Sequence, residues 1–167
     1  TLPVVHTKSG LQEPGVIEMA PGQLWGWART DLGRQYEMFS IDGGETWSLP
    51  APSRFTSPNS PLSIKRVPGS GKLLAVWNPA PAYETRPLRP TGGDRTPLVI
   101  ATGDSSAGKW TAARIIDGIK EPTEGFSYTA IHFTKDAVLL AYCAGGAEDR
   151  SRLARIRIRK IPLSALP

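Results

Sequence analysis

Side chains able to do metal, acid–base or nucleophilic chemistry are few and far apart in this sequence of 167 residues. His6 and His132 lie in strand-like runs and have no ligand partner at metal-binding spacing, so neither a metal nor another cofactor is expected. The single cysteine, Cys143, ends the apolar run Val138-Leu139-Leu140-Ala141-Tyr142-Cys143 and reads as a buried, inert thiol. A good part of the excess positive charge sits between Arg150 and Lys160, where Arg155-Ile156-Arg157-Ile158-Arg159 alternates with the period of a strand. The pattern reads as an outer edge strand whose arginines face solvent and guard against edge-to-edge pairing. No aromatics are interleaved to stack on bases, so nucleic acid is not an expected partner. Glu13 and Tyr128 are different, because they fall at equivalent points of an internal repeat.

The elements that must bring such a pair together are strands. Gly (17) and Pro (16) make up about a fifth of the chain and are spread along it, which argues against a helical bundle. Hydrophobic residues at 40% suffice for a packed core, and no run approaches the ~18 apolar residues of a membrane span. The balance of 20 Lys and Arg against 15 Asp and Glu gives a net charge of +5. Thr1 stands where an initiator Met would, which suggests a lost preceding segment, and nothing in the composition sets a compartment. Short apolar runs bounded by Gly, Pro, Ser or Asp predict an all-β chain with strands over 4–7, 15–19, 23–29, 36–41, 62–67, 73–77, 98–102, 112–116, 128–133, 137–143 and 153–161.

Comparison of the chain with itself aligns Glu13-Pro14-Gly15-Val16-Ile17 with Ser60-Pro61-Leu62-Ser63-Ile64 and with Tyr128-Thr129-Ala130-Ile131-His132. Each copy is a strand, a tight turn, a second strand and then a third. In the first two copies a turn ending in Trp47 or Trp110 precedes a fourth strand. Four antiparallel strands per unit is the pattern of propeller blades, here three, over about 8–55, 56–120 and 121–167 of a single domain. Three blades cannot close a ring, so either a missing N-terminal half-propeller or a second copy of the chain is expected as partner. The long segment 79–94 has no strand pattern and is expected to lie over the functional face.

The most specific local signal is Ser40-Ile41-Asp42-Gly43-Gly44-Glu45-Thr46-Trp47, an Asp box, with a degenerate copy at Thr102-Gly103-Asp104 to Lys109-Trp110. It reads as a structural hairpin turn, with Asp42 accepting backbone hydrogen bonds and Arg34 supporting the strand that leads to it. With these boxes on repeated blades, the chain resembles the C-terminal half of the sialidase (neuraminidase) superfamily, six-bladed propellers with Asp-box or BNR repeats. The resemblance implies a glycoside hydrolase that removes terminal sialic acid, with Tyr128 as nucleophile and Glu13 as its base. It also implies Arg29, after Ala28, and Arg95, after Asn78-Pro79 and before Thr96-Pro97, as grips for the substrate carboxylate. Arg86 and Arg89 compete with Arg95 for that place.

A tyrosine suits such a substrate, since an anionic carboxylate nucleophile would be repelled by a carboxylate at the anomeric carbon. The partner implied is a sialylated or related acidic glycan, and a secreted or periplasmic setting follows from the resemblance alone. The superfamily's first arginine and its acid/base aspartate have no match here, and Arg66-Val67-Pro68 mimics the arginine motif only superficially. The chain alone is therefore expected to be a crippled hydrolase. Another exo-glycosidase on the same fold, or a non-catalytic carbohydrate-binding or self-assembling half-propeller, stays open.

Overall fold

The computed structural model describes residues 5–79, 95–104, 108–118 and 124–167. Eleven strands occupy these residues and form three antiparallel sheets. The first sheet runs β1 (Gln12–Ala20), β2 (Gln23–Arg29), β3 (Arg34–Ser40), β4 (Ala51–Thr56) in spatial order. The second runs β5 (Ser63–Arg66), β6 (Leu73–Trp77), β7 (Leu98–Gly103), β8 (Arg114–Asp117). In the third, β10 (Ala137–Gly145) lies between β9 (Gly125–Phe133) and β11 (Arg155–Pro162). The all-β expectation holds, and the third unit has three strands among the described residues where four were expected.

The sheets stack in chain order because the middle one is apolar on both faces. Strand β6 is buried at all five positions. Leu73, Ala75 and Trp77 join Trp25, Trp27 and Phe55 of the first sheet. Leu74 and Val76 point the other way, into Phe126, Val138, Leu140 and Tyr142 of the third. A continuous apolar run of this length marks a strand covered on both sides. The inner strands β1, β5 and β9 then lie side by side, with β5 touching both neighbours.

The Asp box is the hairpin turn after β3. Ser40 and Gly44 are joined through the Ser40 hydroxyl at 2.9 Å, and Asp42 Oδ1 accepts from the Thr46 amide at 2.9 Å. Hydrogen bonds from Thr46, its hydroxyl first, hold the Asp42 carboxyl down to about 2. Trp47 turns back over the sheet, where a Cβ on Gly26 would lie 3.1 Å from its ring. Trp110 does the same at Gly103 and packs edge-on against Phe55 of the first sheet, ring centroids 5.0 Å apart. Arg34 bonds the Ser53 carbonyl at 3.2 Å and so ties β3 to β4.

Three expectations are corrected. Residues 5–7 are not in a strand, and residue 4 lies outside the described residues. Strand β4 had no predicted range, because Pro50, Pro52 and Pro58 hide it; prolines are tolerated on an outer edge, where amides have no ladder partner. Strand β11 is the outer edge strand expected and its arginines are exposed, but its isoleucines are not the covered side. Ile156 and Ile158 are exposed as well, at 79% and 68%. Arg157 reaches toward the second sheet and meets Asp117 at 2.5 Å. Asp117 also accepts from the buried Tyr142 hydroxyl at 2.8 Å. Burial, then this carboxylate, raises the Tyr142 phenol to about 12.

Candidate functional site

Glu13 and Tyr128 occupy the same structural position in two sheets, and the backbone there is unusual. In β1, Gln12 pairs with Arg29 and Gly15 with Trp27, so Glu13 and Pro14 together face Ala28. In β9, Ser127 pairs with Cys143 and Ala130 with Ala141, so Tyr128 and Thr129 together face Tyr142. Each is a β-bulge, two residues against one. The first bulge residue is left-handed in both, φ 49° at Glu13 and 59° at Tyr128. This conformation favours glycine and is held at a cost of about 1–3 kcal/mol by larger residues. A bulge also re-aims its side chain out of the strict alternation of a strand, which is why bulges gather beside active sites.

The two side chains open onto one cleft of about 460 Å³, also lined by Pro14, Trp27, Ser63 and Ile131. Trp27 forms its wall because its indole lies on Gly15, where a Cβ would come within 2.3 Å of the ring. Its Nε1–H donates to the Leu62 carbonyl at 2.9 Å. Tyr128 is 41% exposed. No hydrogen bond joins Glu13 to Tyr128 among the described residues.

Each arginine lies against one member of the pair. Arg29 Nη1 forms a salt bridge with Glu13 Oε2 at 2.8 Å, and Nη2 donates to Gln12. Arg29 is buried while the Glu13 carboxylate reaches solvent, so the guanidinium is held in direction by its two bonds at the edge of the cleft. Arg95 stacks on Tyr128, its guanidinium carbon 4.9 Å from the ring centroid. Its backbone is tied to the same strand, the carbonyl accepting from the Phe126 amide at 2.7 Å. The loop that follows is clamped twice, by Asn78 donating to the Pro97 carbonyl at 2.9 Å and by Thr96 donating to the Gly118 carbonyl at 2.8 Å.

The structure thus brings Glu13 with Arg29, and Tyr128 with Arg95, to the inner strands β1 and β9 on either side of β5. Arg86 and Arg89, and most of the segment 79–94, lie outside the described residues. His6 and His132 join no cluster able to hold a metal among the described residues. Three supporting residues escaped sequence reading: Gln12, which shares Arg29; Ser127, which accepts from Arg95 Nη1 at 3.0 Å; and Asn59, whose carbonyl accepts from Nη2 at 3.3 Å. Gln12 and Ser127 could have been found, since each immediately precedes a bulge residue. Nothing in the sequence marks a backbone carbonyl.

Three stacked antiparallel sheets with their inner strands lining one cleft, and an Asp box on the outer turn, define a propeller of the sialidase type. A family model described as a BNR repeat-like domain matches residues 2–140, and the chain belongs to that family. Three solved structures share the fold. The intramolecular trans-sialidase of Ruminococcus gnavus, in complex with oseltamivir carboxylate, aligns with TM-score 0.66 at 20% identity over 99% of this chain and 35% of its own. A leech intramolecular trans-sialidase complexed with 2,7-anhydro-Neu5Ac aligns at 0.65 and 22%, over 92% of this chain and 24% of its own. The NanB sialidase of Streptococcus pneumoniae aligns at 0.62 and 18%, over 93% and 24%. The chain therefore spans about a quarter to a third of the length of these proteins. No curated protein sequence matches it.

Proposed function

We propose that this chain supplies the nucleophile side of a sialidase-type glycoside hydrolase site. The observation that carries the reading is the pair of left-handed bulges, which aim a carboxylate and a phenol from different sheets into one cleft. In the first step Glu13 takes the phenol proton, the Tyr128 oxygen bonds to the anomeric carbon, and the bond to the leaving group breaks. In the second, water gives a proton to the group that had protonated the leaving group and bonds to the anomeric carbon, the bond to Tyr128 breaks, and Glu13 returns its proton to the phenolate, so configuration is retained. Arg29 and Arg95 hold the substrate carboxylate through charge-assisted hydrogen bonds. The proton for the leaving group, and a third arginine, come from outside this sequence. The two trans-sialidases and the NanB sialidase that share the fold are consistent with sialic acid as the sugar.

Because fluoride leaves without protonation, a 3-fluorosialyl fluoride tests the chain without an acid catalyst. A covalent adduct on Tyr128, absent in Tyr128→Phe, is expected by peptide mass; labelling elsewhere, or none, refutes the reading. A second reading rests on the exposed Ile156 and Ile158: a carbohydrate-binding module closed by a second copy. A solution mass near twice 18.0 kDa with no adduct favours it.

A further inference from the structure

We propose that Gln35 is a positioning residue for Arg95, acting through the turn that carries Asn59. The proposal rests on the reading of Arg95 as the carboxylate grip. Arg95 uses both terminal nitrogens within the protein, Nη1 on the Ser127 hydroxyl and Nη2 on the Asn59 carbonyl, so the plane of its guanidinium is set by where those two acceptors stand. Ser127 is fixed by its ladder in β9. Asn59 has no such support, since residues 57–60 belong to no strand.

Beside the Ser57 amide's bond to the Gly33 carbonyl at 2.9 Å, what holds the turn is a side chain from the middle of the first sheet. Gln35, on β3, sends its amide nitrogen to Ser57 Oγ at 2.7 Å and to the Ser60 carbonyl at 2.8 Å. The two bonds bracket Asn59. Gln35, Ser57 and Ser60 are all fully buried. With no competing water, these bonds are stronger than at the surface and set the geometry of the turn. The Gln35 Oε1 is buried without a partner, which weighs against a role in stability alone, because an unsatisfied buried acceptor destabilises the fold. Its donors are what the turn uses. Displacing Asn59 frees Nη2, lets the guanidinium swing, and takes it off the Tyr128 ring that it covers at 4.9 Å.

The test compares the full chain with Gln35→Met, which keeps size and burial but deletes both donors, and with Arg95→Ala as control. Two measurements are made: the Arg95 Nε–H and Tyr128 ring signals by NMR, and the affinity for N-acetylneuraminate by titration. Gln35→Met is expected to shift both sets of signals and to weaken binding about tenfold, the loss of one hydrogen bond to a charged group. Unmoved Arg95 and Tyr128 signals in a folded Gln35→Met overturn the proposal, whatever happens to its melting temperature. Should Gln35→Met fail to fold, Ser57→Ala removes one of the two acceptors, and a smaller shift of the same signals is expected; none overturns it. If the unaltered chain does not bind the sugar acid, the carboxylate-grip reading fails, while the NMR signals still decide whether Gln35 sets Arg95.

Discussion

Replacing Tyr128 by alanine and by glycine separates backbone strain from side-chain loss. Both changes remove the ring and its stack with Arg95, so they differ only in one Cβ at φ 59°. A left-handed conformation costs an L-residue about 1–2 kcal/mol, and glycine is spared it. Glycine in turn gives up about 0.5–1 kcal/mol more chain entropy than alanine on folding. The difference leaves Tyr128→Gly more stable than Tyr128→Ala by about 0.5–1 kcal/mol. Two residues on, Ala130 sits in the regular ladder opposite Ala141, where the entropy term stands alone and Ala130→Gly should destabilise by about 0.5–1 kcal/mol. Urea unfolding reads both, and with a slope of about 2 kcal/mol/M the midpoints should move by about 0.25–0.5 M in opposite directions. If Tyr128→Gly proves no more stable than Tyr128→Ala, the bulge is not strained and the argument for a functionally held backbone fails. Glu13, at φ 49°, should show the same sign.

Gly15→Ala should destabilise by about 1–3 kcal/mol, because the new methyl would sit 2.3 Å from the Trp27 ring and the buried indole cannot retreat without leaving the Leu62 carbonyl; near-UV circular dichroism and urea melts check it. The Asp42 carboxyl, held at about 2 against an ordinary 3.8, contributes stability that is complete above pH 3.8 and is lost as pH falls toward 2. Asp42→Asn should therefore flatten the acid limb of the stability curve, as followed by thermal melts from pH 2 to pH 6. Ile156→Lys with Ile158→Lys should lower the binding of a hydrophobic dye and any self-association while leaving the unfolding free energy within about 0.5 kcal/mol, since both side chains face outward; a larger loss would mean that the chain covers them.

Much of the candidate site's geometry was legible because repeats carry positional information. The alignment of Glu13 with Tyr128 put two chemically different side chains at one structural point, and each of them opens a bulge there. The alternation in β11 told of two faces without telling whether either is covered, since that depends on what stands beside the strand, as Asp117 of another sheet stands where Arg157 can reach it. Prolines hid β4, because an edge strand and a loop look alike when amides need no partner. Gln35 left no trace in the pattern at all. A buried amide reads like any polar strand residue until the turn that it brackets is packed against it.

The residues alone determined that the chain is built of repeated antiparallel strands, because strand period, turn chemistry and the Asp box are local properties of neighbouring side chains. Only the tertiary structure decided that Glu13, beside Arg29, and Tyr128, beside Arg95, line one cleft and that isoleucines face outward. Those outcomes depend on how one sheet's register and bulges meet the next, a relation between segments distant in the chain that no local pattern encodes.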